Sequence, residues 1–468
     1  MIRVDAEVAA VMAAGLDRIR ADAEIPGEFP ADVLDAAERA ACKPVGGGVD
    51  PSGHVDRTSM KFATLDPASS IDLDQAFAIE VAGSDIILHY AIADVGWFVK
   101  PGDPLDLEAF RRGVTVYLPD RRSTLYPPVL SEGAASLLPN VVRPAVVFTV
   151  RVDEAGESTI DGVERALVRS TAKLAYDAVT PADLPHGFDE LHRRIVAAEE
   201  RRGAPRVEFP EQEISIDDNG DYSLTFRPRL ASEEQNAAMS LATNLAVAKL
   251  LFTAGTGLFR EMPEVDERHL RRLRNSAQAF GLDWPADMPL DQFERSLPRD
   301  DPRSSAFLMS VRRAAGGASY APFVQGHTPW HSALAATYAQ ATAPLRRLQD
   351  RYVIEATLAI ANGKPVGDDI ASAFERLPKA MALADQRAGK AEREAIALTE
   401  AVVLSACVGE TFQGVVVDET EYGVDVQLDS PSVLARVQAK GVDPGDLVRL
   451  KLVGVDIDAR RVEFQRVS

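Results

Sequence analysis

TLDPASSIDLDQAF, residues 64–77, decides how this chain is read, because it sets Asp66, Asp72 and Asp74 in one short polar run. Carboxylates this dense repel one another unless something cationic neutralises them, and hard divalent cations such as Mg²⁺ take oxygen ligands of this kind. The segment reads as a metal site, with a solvated acidic turn as the alternative. Pro67, Ser69 and Ser70 keep the loop irregular, so its carboxylates can converge instead of alternating across a sheet. Downstream, QAFAIEVA (75–82) and DIILHYAIADV (85–95) are apolar, β-prone runs separated by Gly83-Ser84. They predict a hairpin fed by the acidic loop.

The rest of the composition sets bounds. At 468 residues and 46% hydrophobic, the chain can bury a large core in two or three domains. It holds no apolar run of membrane-spanning length, and MIRVDAEVAA lacks the layout of a secretion signal, which predicts a cytoplasmic protein. Cys42 and Cys407 lie far apart without zinc or disulfide spacing and are expected to be small buried hydrophobes. A net charge of −20 argues against a protein that coats nucleic acid with a broad basic surface. It leaves room for a locally positive channel, since screening confines fields to roughly 8 Å at physiological salt. The arginine clusters at 111–112, 121–122, 271–274, 312–313 and 346–347 read individually as solvated faces.

Along the chain, residues 1 to about 45 predict two helices, and Gly46-Gly47-Gly48 reads as a linker. Strands dominate from about 58 to 170, including 144–152 and 161–170 around a loop-rich middle (113–140). Helical patterns are expected from about 187 to 408, among them 235–252, 351–362 and 369–405. Residues 409–468 return to five short strands, which suit an OB-fold barrel, a common binder of single-stranded nucleic acid.

A catalytic reading of the aspartates needs a cationic partner for a substrate anion, and ATYAQATAPLRRLQDR (336–351) offers one. Pro344 breaks any preceding helix, and Arg346, Arg347 and Arg351 follow where the next helical pattern begins. A helix N-terminus with arginines suits a phosphate. The alternative is that these arginines pair with Asp350 and neighbouring acids.

TLDPASSIDLDQAF, HYAIADVGWFVKPGDPLDLEAFRRGVTVYLP and YAQATAPLRRLQD, in that order and followed by the terminal barrel, resemble the ribonuclease II/R family of exoribonucleases. The resemblance implies an α+β fold: an RNB catalytic domain, with a mixed β-sheet core wrapped by helices, and an S1-like OB-fold barrel. The domains it implies are a helical segment (1–50), the catalytic domain (51–405) and the barrel (406–468). It implies Mg²⁺, with Mn²⁺ as the alternative ion, held by Asp66, Asp72 and Asp74, and 3′ to 5′ hydrolysis of single-stranded RNA by a monomer. Asp74, Arg346 and Glu392 then carry catalysis, while Tyr117, Arg347 and Tyr422 contact the substrate. The N-terminal stretch is shorter than the two cold-shock barrels that commonly precede this domain.

The match departs from the family pattern at named positions. Where the family carries two adjacent aspartates, this chain has Asp74-Gln75, and Gln75 offers the metal a carbonyl oxygen without charge. That predicts weaker metal binding or the loss of one of two metals. Ala343 and Leu348 replace a hydroxyl and an aromatic around Arg346, and Ala237 and Ala238 replace expected glutamates. Residues 409–468 hold seven Lys/Arg against eleven Asp/Glu, and Val424 and Val426 stand where aromatics often stack on bases. A catalytically weak or silent RNA-binding protein is therefore the second reading. A metallohydrolase of other phosphate esters is the third, while the absence of HExxH and GxSxG speaks against zinc and serine hydrolases.

Overall fold

In the computed structural model, described for residues 6–43, 53–204, 211–216, 222–227, 229–298, 301–420, 423–428, 430–439, 441–443 and 445–467, the acidic loop leads into a sheet that closes on itself. Its strands run in the order Val55–Asp56, Ser158–Ala175, Phe62–Asp66, Gln75–Ala82, Asp85–Ala93 and Val142–Val152, and the last also pairs with Ser158–Ala175. Phe62–Asp66 runs parallel to Ser158–Ala175, and the other long pairings are antiparallel. The predicted hairpin is present: Ala82 faces Asp85 across a two-residue turn whose first residue, Gly83, takes φ +65°. Glycine enters that conformation without the cost a side chain imposes.

Phe62, Phe77, Tyr90 and Phe148 are fully buried inside this sheet's core, together with Met239, Ala242, Ala246 and Leu251 of the helix Ala231–Thr253. Small residues on that helix let it lie close against the strands. The helix Leu348–Ala361 packs beside it, and the long helix Asp368–Ser405 runs toward the terminal barrel. Met12, Leu16 and Ile19 of the first helix, Ala6–Asp22, pack on Ala391, Ala395 and Leu398 of that long helix.

The barrel's strands follow the order Leu434–Val437, Gly423–Leu428, Thr411–Thr420, Leu447–Asp456, Arg461–Arg466, all antiparallel, and its two outer strands approach each other to nearly close it. Val424 and Val426 are buried in its core.

Two expectations are corrected. The region from 187 to 408 is not helical throughout, because Glu211–Ile216 and Tyr222–Arg227 form a hairpin and Leu258–Glu261 pairs with Ser319–Pro322. The alternation in EQEISI is a period-2 pattern that favours a strand over its helical surroundings. Cys42 is exposed at the end of its helix, and Cys407, just past the long helix, is only half-buried against the barrel core. The Gly46–Gly48 linker falls outside the described residues. Among the described residues, no helix is long and apolar enough to cross a membrane.

Candidate active site

Three segments meet at a cavity of about 1170 Å³, contributing Gln75, Arg346 and Tyr117 in turn to its lining, and a fourth element also lines it. The first is the acidic loop. Asp66 ends its strand, and Leu73 drops into the core, where its backbone N–H bonds the Ser136 hydroxyl at 2.9 Å. That anchor places Asp72 and Asp74 on either side of a buried leucine.

The second segment is the arginine loop. Its shape is set by buried polar groups: Asn244 accepts the Ala341 N–H at 2.9 Å, and Asp350, fully buried, accepts the Ala343 N–H at 2.7 Å. Arg347 caps the helix Leu348–Ala361 and pairs with Asp350 at 2.6 Å. Arg346 is left half-exposed, with its Nε 3.4 Å from Asp74 Oδ2. Arg351 does not reach the cavity; it is buried against Asp106.

The third segment is the hairpin made by Val116–Tyr117 and Arg122–Ser123. Its base is stitched to the arginine loop by the Thr115 N–H to the Arg346 carbonyl, at 3.0 Å, and the Leu348 N–H to the Gly113 carbonyl, at 2.9 Å. Gly113 is required there: its φ is +72°, and a Cβ would sit 2.4 Å from that of Ala384. Tyr117 is half-exposed, and its hydroxyl donates to Asp72 at 3.2 Å. The fourth element is the long helix, which presents Glu392, exposed, to the same cavity. Ala237 and Ala238 also line it. Tyr422 falls outside the described residues.

The electrostatics follow from burial. Asp74 accepts the Leu345 N–H at 2.7 Å, yet burial outweighs that bond and the Arg346 charge and raises its pKa to about 7. Burial, with Asp72 adding to it and Arg346 opposing, raises Asp66 to about 6. Asp66 Oδ2 is a buried carboxylate oxygen with no hydrogen-bond partner. Burial lowers the Arg346 pKa, but Asp74, Tyr117 and Asp66 together offset that and leave it raised.

These donors suit a hard divalent cation by chemistry, since an orphaned buried carboxylate oxygen beside two more carboxylates is a costly arrangement that a cation relieves. Asp66, Asp72 and Asp74 are the residues that would hold it. They do not form a finished cage: among the described residues, no three acidic, cysteine or histidine side chains are grouped as ligands. Asp72 is held by Arg122 at 2.6 Å, and the Gln75 carbonyl oxygen accepts the Tyr90 hydroxyl. Tyr90, Arg122 and Asn244 were not singled out from sequence. Arg122 was visible only as half of an arginine pair, and it is the hairpin register that sets it opposite Tyr117.

The raised carboxylates make a pH prediction for the metal-free protein. Between about pH 4 and 7 the folded state binds more protons at Asp66 and Asp74 than the unfolded chain does, so these two groups favour folding at low pH. Their contribution is lost as pH rises through about 6 and then about 7. The expected result is that added Mg²⁺ raises the melting temperature more at pH 8 than at pH 5; an equal rise at both would contradict it.

An acidic loop facing an arginine, built on a closed sheet and joined to a nearly closed five-strand barrel, is an arrangement whose chemistry suits a phosphate backbone. The chain belongs to the RNB-domain family, whose model matches residues 54–361, and residues 410–467 match the RNase II-type exonuclease C-terminal S1 domain. Ribonuclease R of Thermotoga maritima is 26% identical over 453 residues, covering 91% of this chain and 63% of its own length. Ribonuclease R of Escherichia coli is 26% identical over 477 residues, covering 89% and 58%. The chain thus spans roughly three-fifths of these relatives. Among solved structures, Mycoplasma genitalium RNase R in complex with ribose-methylated single-stranded RNA superposes with a TM-score of 0.85 at 19% identity, covering 97% of this chain and 78% of its own. The yeast pseudonuclease Ssd1 superposes at 0.69 with 16% identity, covering 95% and 59%.

Proposed function

We propose that this chain is a Mg²⁺-dependent 3′ to 5′ exoribonuclease that hydrolyses single-stranded RNA to nucleoside 5′-monophosphates, working as a monomer in the cytoplasm. The observation that carries it is that Asp74 and Asp72, with Asp66 close by, sit against Arg346 and Tyr117, which line the cavity. The Ribonuclease R relatives supply the reaction class.

Hydrolysis joins a water oxygen to the phosphorus of the last phosphodiester and breaks its bond to the preceding ribose 3′ oxygen, which takes up a proton. The bound ion supplies charge neutralisation and an activated water. The chain's own residues do the rest. Arg346, whose Nε lies 3.4 Å from Asp74 Oδ2, offsets the charge that builds on the phosphate oxygens. Tyr117 offers an exposed ring beside Asp72 for the terminal nucleotide. Glu392 lines the same cavity.

Arg346→Ala is expected to lower kcat about a hundredfold, the scale of removing one preorganised transition-state donor, with a smaller change in KM. Single-turnover RNA hydrolysis measures it; a change confined to KM would make Arg346 a ground-state binder. A second reading, a silent RNA-binding protein, draws on Gln75 and its bond to Tyr90. Gln75→Asp tests it, since that reading expects the change to create activity in an inert parent.

A further inference from the structure

Asp72 already has a cation of the protein's own. Arg122 Nη1 donates to Asp72 Oδ1 at 2.6 Å, while Arg122 Nε pairs with Glu132 at 3.1 Å. The Tyr117 hydroxyl donates to the other Asp72 oxygen at 3.2 Å. Tyr117 and Arg122 are cross-strand partners in the hairpin register, so one short turn delivers both groups to the same carboxylate. The pair is sheltered: a quarter of the Arg122 side chain and a tenth of that of Asp72 reach solvent. Both Asp72 oxygens are therefore engaged, whereas one Asp66 oxygen has no partner.

Charge points the same way. Four carboxylates, Asp66, Asp72, Asp74 and Glu132, face two guanidinium groups, Arg122 and Arg346, and Gln75 adds no charge. A pocket so balanced attracts one divalent ion well and a second poorly, because the second would arrive beside an arginine already bonded to its ligand.

We propose that Arg122 is a positioning residue that takes the place of a divalent cation at Asp72, so that the pocket binds a single divalent ion with Asp66 as its anchoring carboxylate. The proposal rests on the metal-dependent reading of the site given above. Arg122 also holds the hairpin in place through Asp72, which keeps Tyr117 on the cavity lining without a second metal. The fixed guanidinium does for hairpin geometry what a second ion would do by shared ligation.

The test is a Mn²⁺ titration of the full chain followed by electron paramagnetic resonance and calorimetry, on the parent, Arg122→Ala and Arg122→Lys. The parent is expected to bind one Mn²⁺. Arg122→Ala is expected to gain a second Mn²⁺ or to bind about tenfold more tightly, since one charge has been removed beside a divalent ion. Arg122→Lys should return to the parent's behaviour. If Arg122→Ala fails to fold by circular dichroism, Arg122→Gln carries the same expectation. Two ions in the parent, or identical binding in parent and Arg122→Ala, would overturn the proposal while leaving RNA hydrolysis untouched. Intact RNA in samples that bind one Mn²⁺ as expected would instead count against the nuclease reading. Binding of no Mn²⁺ by any variant would overturn both.

Discussion

Asp74→Asn is expected to reduce RNA hydrolysis by at least about a thousandfold, some 4 kcal/mol of transition-state stabilisation, while leaving the fold and most RNA affinity in place. The side chain is buried, accepts the Leu345 N–H at 2.7 Å and lies 3.4 Å from Arg346. An asparagine oxygen keeps the first of these bonds, so the loop should hold its shape. What is lost is charge: a carboxylate that would hold the proposed divalent ion and the counter-charge beside Arg346. Because burial already holds the Asp74 pKa near 7, the carboxylate is poised to ionise when a cation arrives, and asparagine has no such response. Single-turnover assays together with filter binding measure the effect. Turnover comparable to that of the parent would remove Asp74 from the mechanism.

The second large effect is structural. Asp106 is buried and accepts Arg351, the Tyr352 hydroxyl at 2.5 Å and the Gly102 N–H at 2.7 Å. Asp106→Ala leaves the Arg351 guanidinium buried with the Val99 carbonyl, at 3.2 Å, as its remaining named acceptor. Breaking a buried ion pair from one side costs about 3–5 kcal/mol, and urea unfolding should show that loss. Activity should fall with it, because this pair ties the helix Pro104–Arg112 to the helix Leu348–Ala361, which starts beside Arg346. The double change Asp106→Leu with Arg351→Met should recover much of the stability, since it removes both charges together. A destabilisation below about 1 kcal/mol for Asp106→Ala would show that the pair contributes little.

The residues that could be read in the sequence share a feature: their signal is local. The 75–95 hairpin followed from apolar runs around Gly83-Ser84, and the terminal barrel followed from five short strands. The acidic loop and the arginine loop were visible as motifs, although their facing each other at the cavity depends on how the sheet and the helix Leu348–Ala361 pack. What stayed hidden depends on contacts between distant segments. Arg122 in an Arg-Arg pair looks like a solvated residue until the hairpin register sets it opposite Tyr117 and against Asp72. Arg351, next to the site in sequence, turns into the core because Asp106 waits for it from a helix far upstream. Gln75 was legible as a departure, but its bond to Tyr90 comes from the pairing of neighbouring strands and not from the motif. The Glu211–Arg227 hairpin was missed because a short alternating run sits between two strong helical patterns.

The most direct test is incubation of the purified chain with a 5′-labelled single-stranded RNA, with and without Mg²⁺, resolved at single-nucleotide resolution. The account predicts a ladder that shortens from the 3′ end only when Mg²⁺ is present, with nucleoside 5′-monophosphates as the released product. RNA that stays full length at saturating Mg²⁺ and Mn²⁺, while shifting on a native gel, would contradict it and make the chain an RNA-binding protein on a nuclease fold.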